Sequence, residues 1–275
     1  MIRPDLVAAG GGKLSRTERV QIRLIRASFE PGTVDRGIRF LQRTFGSTWI
    51  HHCTKHLRRV HGLERVPPLQ PARSYVLVSN HRSFFDLYVV TAELVRRGLS
   101  HRIVFPVRSN FFYDRASGFV VNGVMSFFAM YPPIFRERSR AALNVASLEE
   151  VRWLLQRGGV FVGIHPEGTR KTDDDPYTFL PAQTGVGKVV HGSGAVVLPV
   201  FINGLINDLG RQVRSNFDGT GRVINVVFGE PIELSDLQAQ PHSPRVYRAI
   251  SERCMTAISR LGQEERQLRE QQDRT

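Results

Sequence analysis

The sequence predicts an α/β fold: a mixed, mostly parallel sheet with helices on both faces, preceded by an N-terminal amphipathic helical segment. Three observations carry that prediction. The apolar runs at residues 75–78, 160–164 and 195–202 are continuous rather than alternating, the pattern of strands covered on both faces. Segments with apolar residues at three- and four-residue steps lie between these runs, so strands and helices alternate along the chain. A third segment, before residue 61, carries a helical stripe interleaved with basic residues. At 275 residues one large domain or two small ones are possible. The patterns divide the chain into an arm with a basic amphipathic helix over 1–60 and a domain over 61–275.

Taken in order, residues 1–37 hold the run Gly10-Gly11-Gly12 and a short segment, 20–25, whose period fits strand or helix. Ile38, Leu41, Phe45, Trp49, Cys53, Leu57 and Val60 predict a helix over 38–60, with Arg39, Arg43, His51, Lys55 and Arg58 between them. Such a helix either lies on an anionic lipid surface, Phe45 and Trp49 reaching the acyl boundary, or packs on the domain by the same stripe. Residues 61–71 read as a short strand and a proline-stiffened connector. The strand at 75–78 leads into a helix whose start is marked by Ser83 with Asp86 three residues on, the spacing of a capping box, and whose end is marked by Gly98. After a strand at 102–107, residues 119–131 are apolar apart from Asn122, Gly123 and Ser126. Too short to span a bilayer, they are expected as a buried helix under the site, with a membrane-dipping segment as the alternative. A short strand ends in the arginine cluster at 136–138, a helix covers 140–156, and the strand 160–164 follows. Helix 185–190, strand 195–202, an alternating strand at 222–230 and a closing helix at 246–261 complete the pattern. The polar tail, 264–275, is expected frayed or loosely helical.

The 38 Lys and Arg against 25 Asp and Glu give a net charge of +13, which suits nucleic acid, an acidic membrane face or a phosphorylated substrate. Lys occurs only at 13, 55, 171 and 188, so nearly all the charge is Arg, the better fork for phosphate oxygens. RNA- and DNA-reading signatures are absent, and the reading is of no nucleic-acid partner. Cys53 and Cys254 match no disulfide or zinc spacing, so no metal is expected and a reducing compartment is the default. No apolar signal region opens the chain and no run of about eighteen apolar residues occurs. Phosphate-binding glycine loops, zinc-peptidase and serine-hydrolase motifs are also missing. Asp173-Asp174-Asp175 reads as a solvated loop rather than a metal site.

Two constellations carry chemistry. His81 sits on the turn after strand 75–78, and a carboxylate at Asp86 in the first helical turn can reach back to its imidazole, making an oriented general base. The alternative is that Asp86 only caps the helix. Glu167-Gly168-Thr169-Arg170 follows the buried strand 160–164, where ligands of open sheets bind. Thr169 and Arg170 supply donors for a phosphate, Gly168 permits close backbone approach, and Glu167 can accept from a hydroxyl. The alternative here is a sharp turn held by a Glu–Arg contact.

Asn80-His81 with Asp86, then Ile134-Phe135 ending in Arg138, then Pro166-Glu167-Gly168-Thr169-Arg170, then Leu198-Pro199-Val200-Phe201-Ile202 resemble the four ordered blocks of the glycerolipid acyltransferases, the 1-acylglycerol-3-phosphate acyltransferase type. The resemblance covers about residues 61–232. It implies His81 as base with Asp86 as partner, and Asn80, Arg138, Glu167, Gly168, Thr169 and Arg170 as substrate-binding residues. The implied reaction moves a fatty acyl group from acyl-CoA or acyl carrier protein to a lysophospholipid hydroxyl, 1-acyl-glycerol-3-phosphate first, in phospholipid biosynthesis. No cofactor is implied. The implied location is cytoplasmic, peripheral on an anionic inner membrane face. Another lyso- or amino-lipid acceptor, or an inactive peripheral membrane or nucleic-acid-binding protein, is the alternative. Departures fall at Pro132, where the second block usually opens with Gly, and at His165 and Lys171, where the third usually has Phe and Ser. Backbone N–H groups at the helix start after Ser83 are candidate donors to a developing oxyanion.

Overall fold

The computed structural model describes residues 3–272 and 274; Met1, Ile2, Asp273 and Thr275, the outer ends of the arm and tail, lie outside the described residues. Helices α1 (Leu6–Gly10), α2 (Arg16–Ala27), α3 (Thr33–Leu41) and α4 (Ser47–Thr54) precede the first strand. The ambiguous segment 20–25 is helical. It belongs to α2, which opens on a reciprocal capping box between Ser15 and Glu18. A π-helical turn, Gln42–Gly46, joins α3 to α4 and lets Gln42 reach inward, its Oε1 accepting from the Ile103 N–H at 2.9 Å. The helix expected over 38–60 therefore ends at Thr54. The Asn216 side chain caps it, donating to the His52 carbonyl and accepting from the His56 N–H, each at 2.9 Å. Leu57 then turns inward, and Val60 belongs to β1 (Arg58–His61).

The seven-stranded sheet adds β2 (Tyr75–Ser79), β3 (Arg102–Arg108), β4 (Met130–Ile134), β5 (Val160–Ile164), β6 (Val196–Asn203) and β7 (Ile224–Phe228), in the order β1-β7-β6-β2-β5-β3-β4. Every neighbouring pair is parallel except β6 with β7. Helix α5 (Asp86–Arg96) connects β2 to β3, while α6 (Ser109–Phe112) and α7 (Ala116–Ser126) lie before β4. Helix α8 (Leu143–Gln156) leads to β5 and α9 (Gly185–Val190) to β6; α10 (Leu209–Asp218), α11 (Ser235–Gln238) and α12 (Pro244–Gln272) complete the chain. The mixed, mostly parallel α/β sheet is thus as the sequence predicts.

Because successive strand side chains point to opposite faces, β2 feeds two cores. Val76 and Val78 join Leu154, Val186 and Ile250 on one face, whereas Tyr75 and Leu77 join Ile50, Val89 and Leu94 on the other. The N-terminal arm completes the first core through Leu6, Ile22, Ile25 and Phe29. Arg3 anchors it there, donating to the buried Glu150 carboxylate at 2.6 Å.

Two further expectations are corrected. Helix α7 is not a buried apolar helix. It buries Gly118, Asn122 and Ser126 and shows Val120 and Val124 to solvent, 61% and 66% exposed. Asn122 causes this by tying the start of β4, donating to the Met130 carbonyl and accepting from the Met130 N–H and the Ser126 hydroxyl. The tail is not frayed, because α12 runs on to Gln272. Glu265 is fully buried there, accepting from Asn225, Asn203, Tyr177 and Arg269.

Candidate active site

Strands β2 and β5 end side by side with Val78 opposite Ile164, so the segments 79–86 and 165–171 leave the sheet together at its C-terminal edge. Open parallel sheets bind ligands at this edge. Asn80, fully buried, clamps the exit of β2 to β6: its Nδ2 donates to the Ile202 carbonyl at 2.8 Å and its Oδ1 accepts from the Ile202 N–H at 2.9 Å. Glu167, 2% exposed, accepts from the His81 N–H through Oε1 at 2.9 Å and from the Leu180 N–H through Oε2 at 2.8 Å. Both residues were expected to touch substrate. In the structure their polar atoms are taken up by the backbone, and they fix where His81 stands.

Asp86 opens α5. Phe85, not Ser83, occupies the N-cap position, and it makes no side-chain cap bond, so the capping box expected from the spacing does not form. Ser83 Oγ instead accepts from the Phe85 N–H and donates to the Ile206 carbonyl. Asp86 Oδ2 turns back on the loop, accepting from Arg82 N–H at 2.8 Å and Ser83 N–H at 2.7 Å, with His81 Nδ1 at 3.3 Å. One carboxylate oxygen therefore both caps the turn and faces the imidazole. A neutral His81 with Nδ1–H on Asp86 has Nε2 as its basic nitrogen. The amides of Arg82, Ser83, Phe84 and Phe85 all donate to side chains, which removes them as oxyanion donors.

Burial sets the electrostatics. It pulls the His81 imidazole down to about 4, assisted by the charges of Arg170 and Arg136 against a favourable contact with Ser83. Burial also raises the Asp86 carboxyl to about 6, although the two loop amides oppose it. Both shifts disfavour charge in an enclosed site, and at neutral pH they leave a neutral imidazole beside an ionised carboxylate.

Gly168 adopts a left-handed φ of 69°, and a Cβ there would lie 2.9 Å from Gln183 Cγ. Its carbonyl accepts from Arg136 Nη2 at 3.1 Å. Arg170 lies 4.4 Å over the Phe84 ring and donates to Asn207 Oδ1 at 2.8 Å, and Thr169 is half-buried beside it. No Glu167–Arg170 contact holds the turn. Arg138 is exposed on a 3-10 turn, while Arg136, two residues earlier, is the arginine of that cluster whose charge acts on His81. Nothing local in Arg136-Glu137-Arg138 distinguishes the two. Lys171 does not leave its charge open to a head group, since it pairs with Asp173 at 2.7 Å, and Asp173 also holds Arg82. The triple-Asp loop is solvent-exposed as expected, and Asp173 within it clasps Lys171 and Arg82.

His165 packs against His81 ring to ring. His81, Asp86 and His165 bring donor atoms within 4.8 Å of one another. The two rings are parallel, however, so their in-plane lone pairs run in separate planes, and each Nδ1 already faces Asp86 or Ser79. That arrangement serves proton transfer better than chelation.

Two comparisons bear on the fold and the family. In overall structure the chain is similar to the 1-acyl-sn-glycerophosphate (LPA) acyltransferase PlsC of Thermotoga maritima, with a TM-score of 0.54 over 88% of this chain and 87% of that one at 20% identity. No curated protein sequence matches. The sequence profile of the family described as Acyltransferase matches residues 57–203, a span that holds more than half the chain and every residue of the site just described except those of the Ile206–Asn207 loop. The chain belongs to the Acyltransferase family.

Proposed function

We propose that this acyltransferase moves a fatty acyl group from an acyl thioester, on coenzyme A or acyl carrier protein, to the free hydroxyl of 1-acyl-glycerol-3-phosphate. The observation that carries the reading is His81 held through Nδ1 by buried Asp86, with two arginines, Arg136 and Arg170, close enough to act on it. Nε2 takes the proton of the acceptor hydroxyl as its oxygen attacks the thioester carbonyl. The tetrahedral oxyanion collapses, the carbon–sulfur bond breaks, and the imidazolium returns the proton to the leaving thiolate. Asp86 stabilises the transient imidazolium. Arg136 and Arg170, with Thr169, supply donors for the acceptor's phosphate. Purified protein given a labelled acyl thioester and a panel of lyso-acceptors, read by lipid mass spectrometry, tests this. Label in phosphatidate supports it, label in another lyso- or amino-lipid reassigns the acceptor, and no labelled lipid defeats it.

The partner surface in this reading is the inner face of an anionic membrane. Among the described residues no helix is long and apolar enough to cross a bilayer. The outward faces of α7 and of the α3–α4 junction, which meet at Gly46 and Phe127, support docking: Val120, Val124, Phe40 and Phe45 are each about 60% exposed or more. Beside them a groove of about 500 Å³ is lined by Arg36, Arg39, Arg43 and Arg96, of which Arg39 pairs with Asp35 at 2.7 Å. Val120→Asp with Val124→Asp should weaken cosedimentation with anionic vesicles and spare activity on detergent-dispersed acceptor; undiminished cosedimentation would remove α7 from the docking face.

A further inference from the structure

His165 follows β5 and presents its ring face to face with His81, the centroids 3.8 Å apart and the planes within 6°. Its Nδ1 lies 3.0 Å from Ser79 Oγ and 3.2 Å from the Ser79 carbonyl oxygen. A carbonyl oxygen only accepts, so Nδ1 carries the proton and the tautomer is set. The Ser79 hydroxyl donates to the Asn80 carbonyl, which leaves its oxygen free to accept as well. The two imidazoles thus stand just past the ends of neighbouring parallel strands, each anchored through Nδ1, His81 by Asp86 and His165 by Ser79. The long 3.3 Å contact with Asp86 and the contact with Ser83 leave the His81 ring room to rock about the Nδ1–Asp86 line, and the stacked ring restricts that freedom.

We propose that His165 is a positioning residue for the transfer: its face-on ring holds the plane of the His81 imidazole against Asp86 and, staying neutral, offers a π face to the imidazolium formed when His81 takes the acceptor's proton. This rests on the reading of His81 as base. A cation over an aromatic face is stabilised, more so where water is excluded. The charged groups facing the stack are Asp86 from α5, Arg136 beyond β4 and Arg170 from the loop after β5. Burial, reinforced by the repulsion a charged His81 would exert, pulls His165 down to about 3, so a second proton on the stack is disfavoured once His81 holds one.

The test compares His165→Ala with His165→Phe, measuring kcat, KM for both substrates, thermal midpoint and the titration of the His81 ring by NMR with labelled histidine. The alanine variant should lose roughly ten- to a hundredfold in kcat, the scale for a misplaced catalytic group, with KM changed by less than about twofold. Its His81 titration should rise toward 6.5 as water enters beside the ring. Phenylalanine should restore most of the lost kcat and keep the titration depressed. Alanine turnover equal to wild type, or equal losses in both variants, would overturn the proposal. Should the wild type transfer no acyl group to any acceptor, the proposed function fails on its own. The titrations then decide the stack: a rise with alanine alone supports it, and curves coinciding with wild type overturn it.

Discussion

Asp86→Asn separates the two parts Asp86 plays. Asp86 Oδ2 receives the Arg82 and Ser83 amides and faces His81, while Oδ1 is buried with no partner. Asparagine keeps an oxygen for the two amides and puts its NH2 where an unpartnered atom already sits, so the cap survives. Removing the charge helps the fold, because ionising a carboxyl whose folded value is about 6 rather than 3.8 costs roughly 3 kcal/mol at neutral pH. The folded value is raised, so the stability linked to that proton is fully present below pH 3.8 and is lost as pH rises through about 6. The variant's advantage should therefore open between about pH 4 and 6. At pH 7 its melting midpoint should equal or exceed that of wild type, by up to several degrees at about 2–4 °C per kcal/mol. Rate should move the other way. A carboxylate and an imidazolium 3.3 Å apart attract by about 5 kcal/mol at an effective dielectric of 20. Losing half or more of that costs about 10²- to 10⁴-fold in turnover. Thermal melts from pH 4 to 8 and initial acyl-transfer rates measure both effects. An Asp86→Asn protein within tenfold of wild-type turnover would reduce Asp86 to a cap, and one melting well below wild type at pH 7 would refute the electrostatic reasoning.

Glu167→Gln turns an NH2 group toward one of the two amides the carboxylate holds, so it should cost about 1–3 kcal/mol and, by letting the His81 backbone shift, up to about a hundredfold in kcat. Unchanged melting and turnover would show that the bracket does not position His81. Glu265→Leu takes the acceptor from Asn203 and the Tyr177 hydroxyl and the carboxylate from Arg269, which keeps only the Val223 carbonyl, and loss of one partner of such a buried pair should destabilise by about 3–5 kcal/mol, read as a fall in denaturant midpoint. Arg136→Ala should raise KM for a phosphate-bearing acceptor while leaving KM for the thioester donor within about twofold; equal effects on both would move Arg136 away from the acceptor phosphate.

The fold class was legible because strands covered on both faces cannot alternate, and β2, β5 and β6 keep continuous apolar runs. His81 and Asp86 were legible because residues five apart across a strand-to-helix turn are brought together by local geometry alone. What could not be read depends on partners far along the chain. The stripe from Ile38 reads as one helix, but a π turn at Gln42–Gly46 shifts its phase and leaves Phe45 outward, and Asn216, some 160 residues away in sequence, caps the helix at Thr54. Helix α7 looks like a core helix by composition, yet Asn122 and Ser126 turn inward to hold β4, which forces the valines out. Asn80 and Glu167 stand at the expected places, but whether their polar atoms meet substrate or backbone depends on β6 and on the loop at Leu180. The stacking of His165 on His81 likewise follows from the β2–β5 register, which no single segment encodes.

The central claim is that His81 is the base for acyl transfer. Initial rates from a labelled acyl thioester to 1-acyl-glycerol-3-phosphate, with wild-type protein and His81→Ala side by side at equal melting temperature, test it most directly. Wild type should form labelled phosphatidate and His81→Ala should fall by about a hundredfold or more, the usual span for a general base. Near-wild-type turnover by a folded His81→Ala protein would contradict it.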